Sequence, residues 1–351
     1  MNRLRVPEGV NRQLGNRGPE ISPLGFGAWA AGGPNKFGWA ATDDDESIKA
    51  IRFAIEAGVN WVDTAAFYGK GHSEEVVRRA LEPWDAGEEV FVFTKCGLRW
   101  EGDDRDAPPI NNLRPESIRY ECERSLKRLA VDRIDLYQFH WPDTLGTPVE
   151  DSWATMLELV EEGKVRWPAV SNFDVPLLER CERLGCVQSL QPRINLIDRS
   201  ALLDALPWCR QHETGVLAYS PLASGLLTGT WDEERVETLP ADDWRKYNPD
   251  FHAPTVFRSL KFASELNVVA QQAGTTLTVL ALAWVLRLKG VTGAVVGARN
   301  VDQVKGWLPA ASVNLPEEVW DRVYELVREH DRQDEHSMAD IDLKDSVAGS
   351  G

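Results

Sequence analysis

Basic residues are in short supply. The 351-residue chain has 39 Lys and Arg against 55 Asp and Glu, a formal net charge of −16. Nucleic acids and anionic membrane surfaces require a basic footprint, so neither is expected as the main partner. An anionic small molecule needs only a local cationic pocket and stays possible. Long apolar runs are also missing. The amino-terminal stretch MNRLRVPEGVNRQLG has no hydrophobic segment and does not read as a signal peptide. The most apolar later stretch, Thr276 to Leu288, is interrupted by Arg287 and is too short to span a bilayer; it reads as a core helix. Cysteine is sparse: the 5 present lack C-x-x-C spacing. That argues against a disulfide framework or zinc site and for a reducing, cytoplasmic setting. Serine-nucleophile elbows, H-x-H and H-E-x-x-H motifs and paired carboxylates at strand ends are absent too, so hydrolytic and metal-dependent chemistry is not expected. No linker divides the chain, and the expectation is one domain over 1–351.

What is present is alternation. Short runs rich in Val, Ile and aromatics recur, each followed by a longer stretch of helical periodicity. The runs are Ile21–Trp29, Val59–Asp63, Val90–Lys95, Ile134–His140, Val165–Ser171, Val187–Gln191, Val216–Tyr219 and Val291–Val296. Helices are expected at Asp43–Ala57, Ser73–Leu81, Pro115–Leu129, Glu150–Glu162, Val175–Leu184, Leu202–Gln211, Phe257–Ala273, Leu277–Leu288, Val301–Leu308 and Glu317–Glu329. A long irregular segment, Thr228 to Thr255, and a flexible or mouth-covering tail over 331–351 complete the reading. Eight strand-then-helix units predict an α/β fold of the (β/α)8 TIM-barrel type, spanning about 21–308. The competing architecture is an open doubly wound sheet, for which GFGAWA (Gly25 to Ala30) weakly resembles a dinucleotide fingerprint. The following AGGPNKFG cannot open the helix that fingerprint requires.

In such a barrel the chemistry gathers at the carboxyl ends of the strands. Strand two ends at Asp63 with Tyr68 just beyond, strand three at Lys95 and strand four at His140. Taken singly, Asp63 fits a helix cap, Lys95 a barrel-end ion pair, Tyr68 loop packing and His140 a core position. Together they suit proton transfer. A phenol exchanges a proton near neutral pH if a nearby ammonium stabilises its phenolate, and a carboxylate keeps that ammonium charged. A histidine opposite can orient a carbonyl oxygen. The expected geometry puts the Tyr68 hydroxyl about 2.6–3.2 Å from the Lys95 ammonium, with Asp63 on the far side of the lysine. Trp29, Phe67, Trp100 and Trp141 lie just past strand ends and would form the substrate pocket, with Arg99 nearby and the loop from Arg99 to Leu113 shaping it.

DTAAFYGKGHSEE (Asp63 to Glu75), FTK (Phe93 to Lys95), DLYQFHWPD (Asp135 to Asp143) and GKVRWPAVSNF (Gly163 to Phe173) resemble the signature blocks of the aldo-keto reductases. The resemblance runs from about Ile21 to Leu308. It implies a catalytic tetrad of Asp63, Tyr68, Lys95 and His140, with Tyr68 as general acid, in an NADPH-dependent reductase of aldehydes or ketones, sugar-like or aromatic. It further implies that Ser171, Asn172 and Gln191 hold the nicotinamide carboxamide and that Tyr219 stacks on its ring. The pyrophosphate loop would be Tyr219 to Gly229, including Ser220, Pro221, Leu222, Gly225 and Leu227. Gly297, Arg299 and Gln303 would hold the adenosine-phosphate end, Arg299 pairing with a 2′-phosphate.

The chain departs from the family pattern at Gly306–Trp307, where an adenine-contacting Glu-Asn pair is usual, at WPAV before Ser171, and at PRINL after Gln191. Two other readings compete: a cofactor-binding regulatory subunit with a reductase fold, and the reverse alcohol or sugar dehydrogenase. Partners other than the small-molecule carbonyl or alcohol are not expected.

Overall fold

The computed structural model describes residues 4–33, 38–39, 43–100, 108–332 and 346. Eight parallel strands close into a barrel whose spatial order is the chain order. They are β1 Leu24–Gly27, β2 Trp61–Asp63, β3 Phe91–Cys96, β4 Ile134–Phe139, β5 Val165–Ser171, β6 Ser189–Gln191, β7 Gly215–Ala218 and β8 Val291–Gly297. Closure rules out the open doubly wound sheet. Helices α1 Asp44–Glu56, α2 His72–Leu81, α3 Pro115–Leu129, α4 Val149–Glu161, α5 Val175–Glu182 and α6 Ala205–Gln211 follow the first six strands. After β7 come α7 Thr255–Gln272 and α8 Leu277–Arg287, and after β8 come α9 Val301–Trp307 and α10 Glu317–Asp331.

Local chemistry accounts for these elements. Asp43 caps α1 by accepting from the Asp45 amide at 2.8 Å, Asp44, Asp45 and Glu46 fill the first turn, and Ile48, Ile51, Ala54 and Ile55 are its buried face. Thr276 caps α8, which is buried along nearly its whole length as a core helix. No single helix among the described residues is long and apolar enough to cross a membrane. The five cysteines are unpaired.

Inside the barrel, Trp61 (β2), Phe93 (β3), Leu136 (β4), Ala169 (β5) and Leu217 (β7) pack as one apolar cluster. Room for Trp61 is made by Gly25, where a Cβ would lie 2.2 Å from the indole ring. Successive residues of a strand alternate faces, so two residues further on the same inward face reappears. At that level stand Asp63, Lys95, Gln138, Ser171 and Gln191. The apolar layer is therefore a floor, and a polar layer lies directly on it toward the mouth.

Several expectations are corrected. The first strand is shorter than Ile21–Trp29. Residues before it instead form an antiparallel hairpin, Arg12–Gln13 with Glu20–Ile21. Leu14 and Ile21 of this hairpin join the apolar floor from below, and Arg12 donates to the Leu286 and Val291 carbonyls at 3.0 and 3.1 Å. The stretch from Thr228 to Thr255 is not irregular throughout; it holds a helical turn, Glu233–Glu237, and two 3-10 turns, Trp244–Tyr247 and Pro249–Phe251. Trp307, at one of the departures from the family pattern, is buried in the core at 2% exposure. The loop expected from Arg99 to Leu113 is described only in part: Leu98–Arg99 pair with Ile110–Asn111 in a two-stranded ribbon, and 101–107 lie outside the described residues. Most of the expected tail also lies outside them. Of its described residues, Asp331 ends α10, and the Ser346 carbonyl accepts from the Lys289 amide at 2.8 Å, beside the amino end of β8.

Candidate active site

The four ionisable residues meet at the carboxyl ends of β2, β3 and β4. Lys95 is 1% exposed and bonds the Asp63 carboxylate, which is 2% exposed, and the Thr64 carbonyl at 2.9 Å. The other Asp63 oxygen accepts from Gln138 at 3.1 Å and Gln191 at 2.9 Å. Removing a lysine and an aspartate from water costs several kcal/mol per ion, and the pairing plus these amide donors offset that cost. Burial lowers the Lys95 ammonium, and the Asp63 carboxylate pulls it back up.

Tyr68 begins a 3-10 turn, Tyr68–Gly71, seated against a second turn, Trp29–Gly32. The two backbones touch so closely that a Cβ on Gly69 would fall 2.0 Å from the Gly32 carbonyl oxygen. Only glycine permits that approach, which fixes where the tyrosine stands. The Lys95 ammonium lies 5.3 Å from the centre of the Tyr68 ring. No hydrogen bond joins the Tyr68 hydroxyl to Lys95 among the described residues, so the expected direct contact is not made. The direction of the Tyr68 shift also differs from expectation: burial first, then the Asp63 carboxylate, push the phenol well above its ordinary value. The phenol is therefore held protonated.

His140 faces Tyr68 edge-on, ring centres 5.7 Å apart. Its amide donates to the Cys96 carbonyl at 2.9 Å, and its own carbonyl accepts from Asn172 at 2.9 Å. The ring Nδ1 is buried with no hydrogen-bond partner among the described residues. Burial first, then Lys95, push His140 well below its ordinary value, so the ring is neutral at neutral pH. The rest of the Asp63-to-Glu75 block is scaffold. Ser73 donates to the Ala28 carbonyl at 2.7 Å, and the fully buried Glu74 bonds Thr94 at 2.7 Å and Arg128 at 2.5 Å.

Residues expected at the nicotinamide are brought together. Ser171 donates to the Gln191 carbonyl at 2.8 Å, Asn172 donates to Ser171 at 3.1 Å, and Tyr219 donates to the Asn172 side chain at 2.9 Å. Gln191, however, turns its amide into Asp63 and Gln138. Beyond Tyr219 the backbone of Ser220, Ala223, Ser224 and Gly225 lies in the left-handed region, with φ of 52°, 48°, 58° and 106°. Such conformations are costly for residues other than glycine, and within this turn the Ala223 and Gly225 amides donate to the Ser220 and Leu222 carbonyls at 2.9 and 3.0 Å. Pro221 is buried, Leu222 half-buried, and Leu227 lies wholly in the core, so Leu227 can offer a ligand only its backbone. Gly297, Arg299 and Gln303 are exposed, Gln303 accepting from the Arg299 amide at 2.8 Å.

Of the four pocket residues, three converge. The Phe67 and Trp100 rings stack with centres 4.7 Å apart, and Trp29 lies 6.2 Å from Tyr68. Trp141 is 40% exposed and joins no ring contact among the described residues. Sequence reasoning missed Gln138, although period-two alternation in DLYQFH sets it on the face of Leu136 and His140. It also missed a second aromatic group. Trp29 lies 5.5 Å from Trp39 and 5.0 Å from Trp244. The Arg245 guanidinium lies 4.9 Å from Trp39 and 4.7 Å from Trp231, pairs with Asp243 at 2.5 Å and donates to the Ser224 carbonyl at 3.4 Å. Trp231, Asp243, Trp244 and Arg245 come from the segment read as irregular, and Trp39 from the stretch between β1 and α1, where no periodicity could have flagged them. No group of three His, Cys, Asp or Glu able to hold a metal occurs among the described residues.

This geometry has counterparts. A family model described as Aldo/keto reductase family matches residues 23–328. The aldo-keto reductase YhdN of Bacillus subtilis (strain 168) is 35% identical over 84% of this chain and 88% of its own length. The NADH-specific methylglyoxal reductase of Escherichia coli (strain K12) is 32% identical over 86% of this chain and 93% of its own. Among solved structures, the glycerol dehydrogenase AKR11B4 of Gluconobacter oxydans superimposes with a TM-score of 0.81 at 35% identity, covering 91% of this chain and 95% of that one. With the family model spanning nearly the whole barrel and two curated relatives above 30% identity, the chain belongs to the aldo/keto reductase family and is an oxidoreductase of the NAD(P)H-linked, carbonyl-reducing kind.

Proposed function

We propose that this protein reduces aldehydes or ketones to alcohols with NADPH, using Tyr68 as the general acid. The observation that carries the proposal is the buried Lys95–Asp63 pair beside a protonated Tyr68 and a neutral His140. Ser171, Asn172, Gln191 and Tyr219 would hold a nicotinamide, which would supply the hydride. The chain's own residues manage the proton. Tyr68 gives its phenolic proton to the carbonyl oxygen as charge builds there, and the Lys95 ammonium stabilises the phenolate left behind. Asp63 keeps Lys95 charged and aimed. His140, being neutral, directs a ring N–H at the same oxygen without competing as an acid. Microscopic reversibility allows the same groups to run alcohol oxidation.

The residues suit the cofactor. The small residues of the turn from Ser220 to Gly225 would leave room for a pyrophosphate, and the exposed Arg299 guanidinium would suit a 2′-phosphate. Charge-assisted hydrogen bonds of this kind contribute about 1.5–3 kcal/mol. Arg299→Ala is therefore expected to raise the KM for NADPH roughly 10- to 100-fold and leave that for NADH within about twofold. Parallel steady-state titrations with the two cofactors check this, and equal losses on both would remove Arg299 from the phosphate site.

The names of two relatives involve methylglyoxal and glycerol, both short and oxygen-rich. The aromatic wall of Trp29, Phe67 and Trp100 suits the C–H faces of such molecules as well as flat rings. A panel of short hydroxyaldehydes, keto-sugars and aromatic aldehydes should give NADPH oxidation above background with at least one class. Silence across the whole panel, and in reverse with the matching alcohols, would overturn the reading.

A further inference from the structure

Glu121 is a buried carboxylate that the reaction above does not use. It sits on α3 at 5% exposure, behind the end of β3. One oxygen accepts from the Gly97 amide at 3.1 Å and the other from the Ser117 hydroxyl at 3.1 Å. Ser117 in turn accepts from Arg99 at 3.3 Å. Gly97 has a φ of 85°, so the chain turns sharply there. On one side of the turn the Cys96 carbonyl is held by the His140 amide at 2.9 Å. On the other side run Leu98, Arg99 and Trp100, the last stacked on Phe67 beside Tyr68. Glu121 is thus the side-chain fastening of the turn between Lys95 and the pocket wall.

We propose that Glu121 is a positioning residue that seats Arg99 and Trp100 through the Gly97 amide, so that substrate KM, and not kcat, depends on it. The proposal rests on the carbonyl-reductase reading of the site. An ionised carboxylate accepts an N–H about twice as strongly as a neutral group, so the hold on Gly97 tightens when Glu121 is charged. Its surroundings place that change near neutrality. From β3 and β4 it faces Cys96 and Tyr137, both of which keep their protons. The cations that favour its charge are Arg99 and Arg128. Burial dominates and raises Glu121 to about 7, against the opposing Gly97 and Ser117 hydrogen bonds. Between pH 6 and 8 His140 stays neutral and Tyr68 protonated, so neither masks the effect.

The test is substrate KM and kcat on the full chain at pH 6, 7 and 8. Wild type should show KM rising about three- to tenfold as pH falls from 8 to 6, with kcat nearly flat, a span matching one ordinary hydrogen bond. Glu121→Gln should show a KM independent of pH and near the wild-type value at pH 6. Ser117→Ala, which removes one donor to the charged form, should move the wild-type midpoint to higher pH. A Glu121→Gln enzyme that keeps the wild-type pH slope, a loss confined to kcat, or an unmoved midpoint in Ser117→Ala would overturn the proposal. Hydrogen exchange over residues 96–100, corrected for intrinsic rate, supplies a readout that needs no turnover. Faster exchange in Glu121→Gln than in wild type at pH 8 is expected, and equal rates overturn the proposal. If exchange differs but no carbonyl is reduced, the reductase reading fails and the Gly97 fastening stands.

Discussion

Tyr68→Phe is expected to lower kcat by roughly 10²- to 10⁴-fold, the usual worth of a positioned general acid. The substitution removes one oxygen and keeps the ring, so the contacts with Trp29 at 6.2 Å and His140 at 5.7 Å persist. Binding of NADPH should change by less than about twofold, because none of the residues assigned to the cofactor uses the phenol. The raised Tyr68 makes the comparison clean. Since burial and Asp63 hold it protonated, the wild type carries its acid proton throughout neutral pH. Steady-state kinetics with a fluorescence titration of cofactor checks both halves. A variant within tenfold of wild type would shift the proton to another donor. A variant and wild type that bind NADPH equally but turn over no carbonyl would favour a cofactor-binding regulatory subunit.

Lys95→Met should lose comparable activity and also a large part of the protein's stability. The ammonium bonds Asp63 in a place where both are almost wholly buried. Removing one partner of a buried pair costs about 3–5 kcal/mol, because the other charge is stranded. Gln138 and Gln191 still donate to Asp63 and soften the loss without matching a cation. Adding Asp63→Leu to Lys95→Met should restore part of the stability, since it removes the stranded charge but leaves the Gln138 and Gln191 amides without that acceptor, while activity stays lost. Urea unfolding of both single variants and the double variant at pH 7 measures the coupling. Additive losses would show that the two side chains are not a pair in solution.

The barrel was legible because its strands and helices carry the two periodicities that backbone geometry imposes. Asp63, Lys95 and His140 stood out as ionisable residues closing apolar runs, and the structure gathers them at one mouth. Gln138 was equally legible by alternation, but an amide inside DLYQFH looks like an ordinary strand residue until its partner on another strand is known. What could not be read were contacts between distant segments. The hairpin below the floor pairs residues that show no strand pattern of their own. The Trp39, Trp231 and Arg245 contacts depend on the path of a segment fixed by tertiary packing. The direction of the Tyr68 shift was misjudged for a related reason. A lysine nearby favours the phenolate, but how much water the ring loses is set by neighbours far away in the chain.

The hairpin has a practical consequence. Arg12 and Ser346 both lie at the amino ends of the strands, and Tyr68 stands at the opposite end. A tether to a bead, an electrode or a fused partner attached at either place would leave the mouth facing outward, so the enzyme can be anchored from below and still be fed from above.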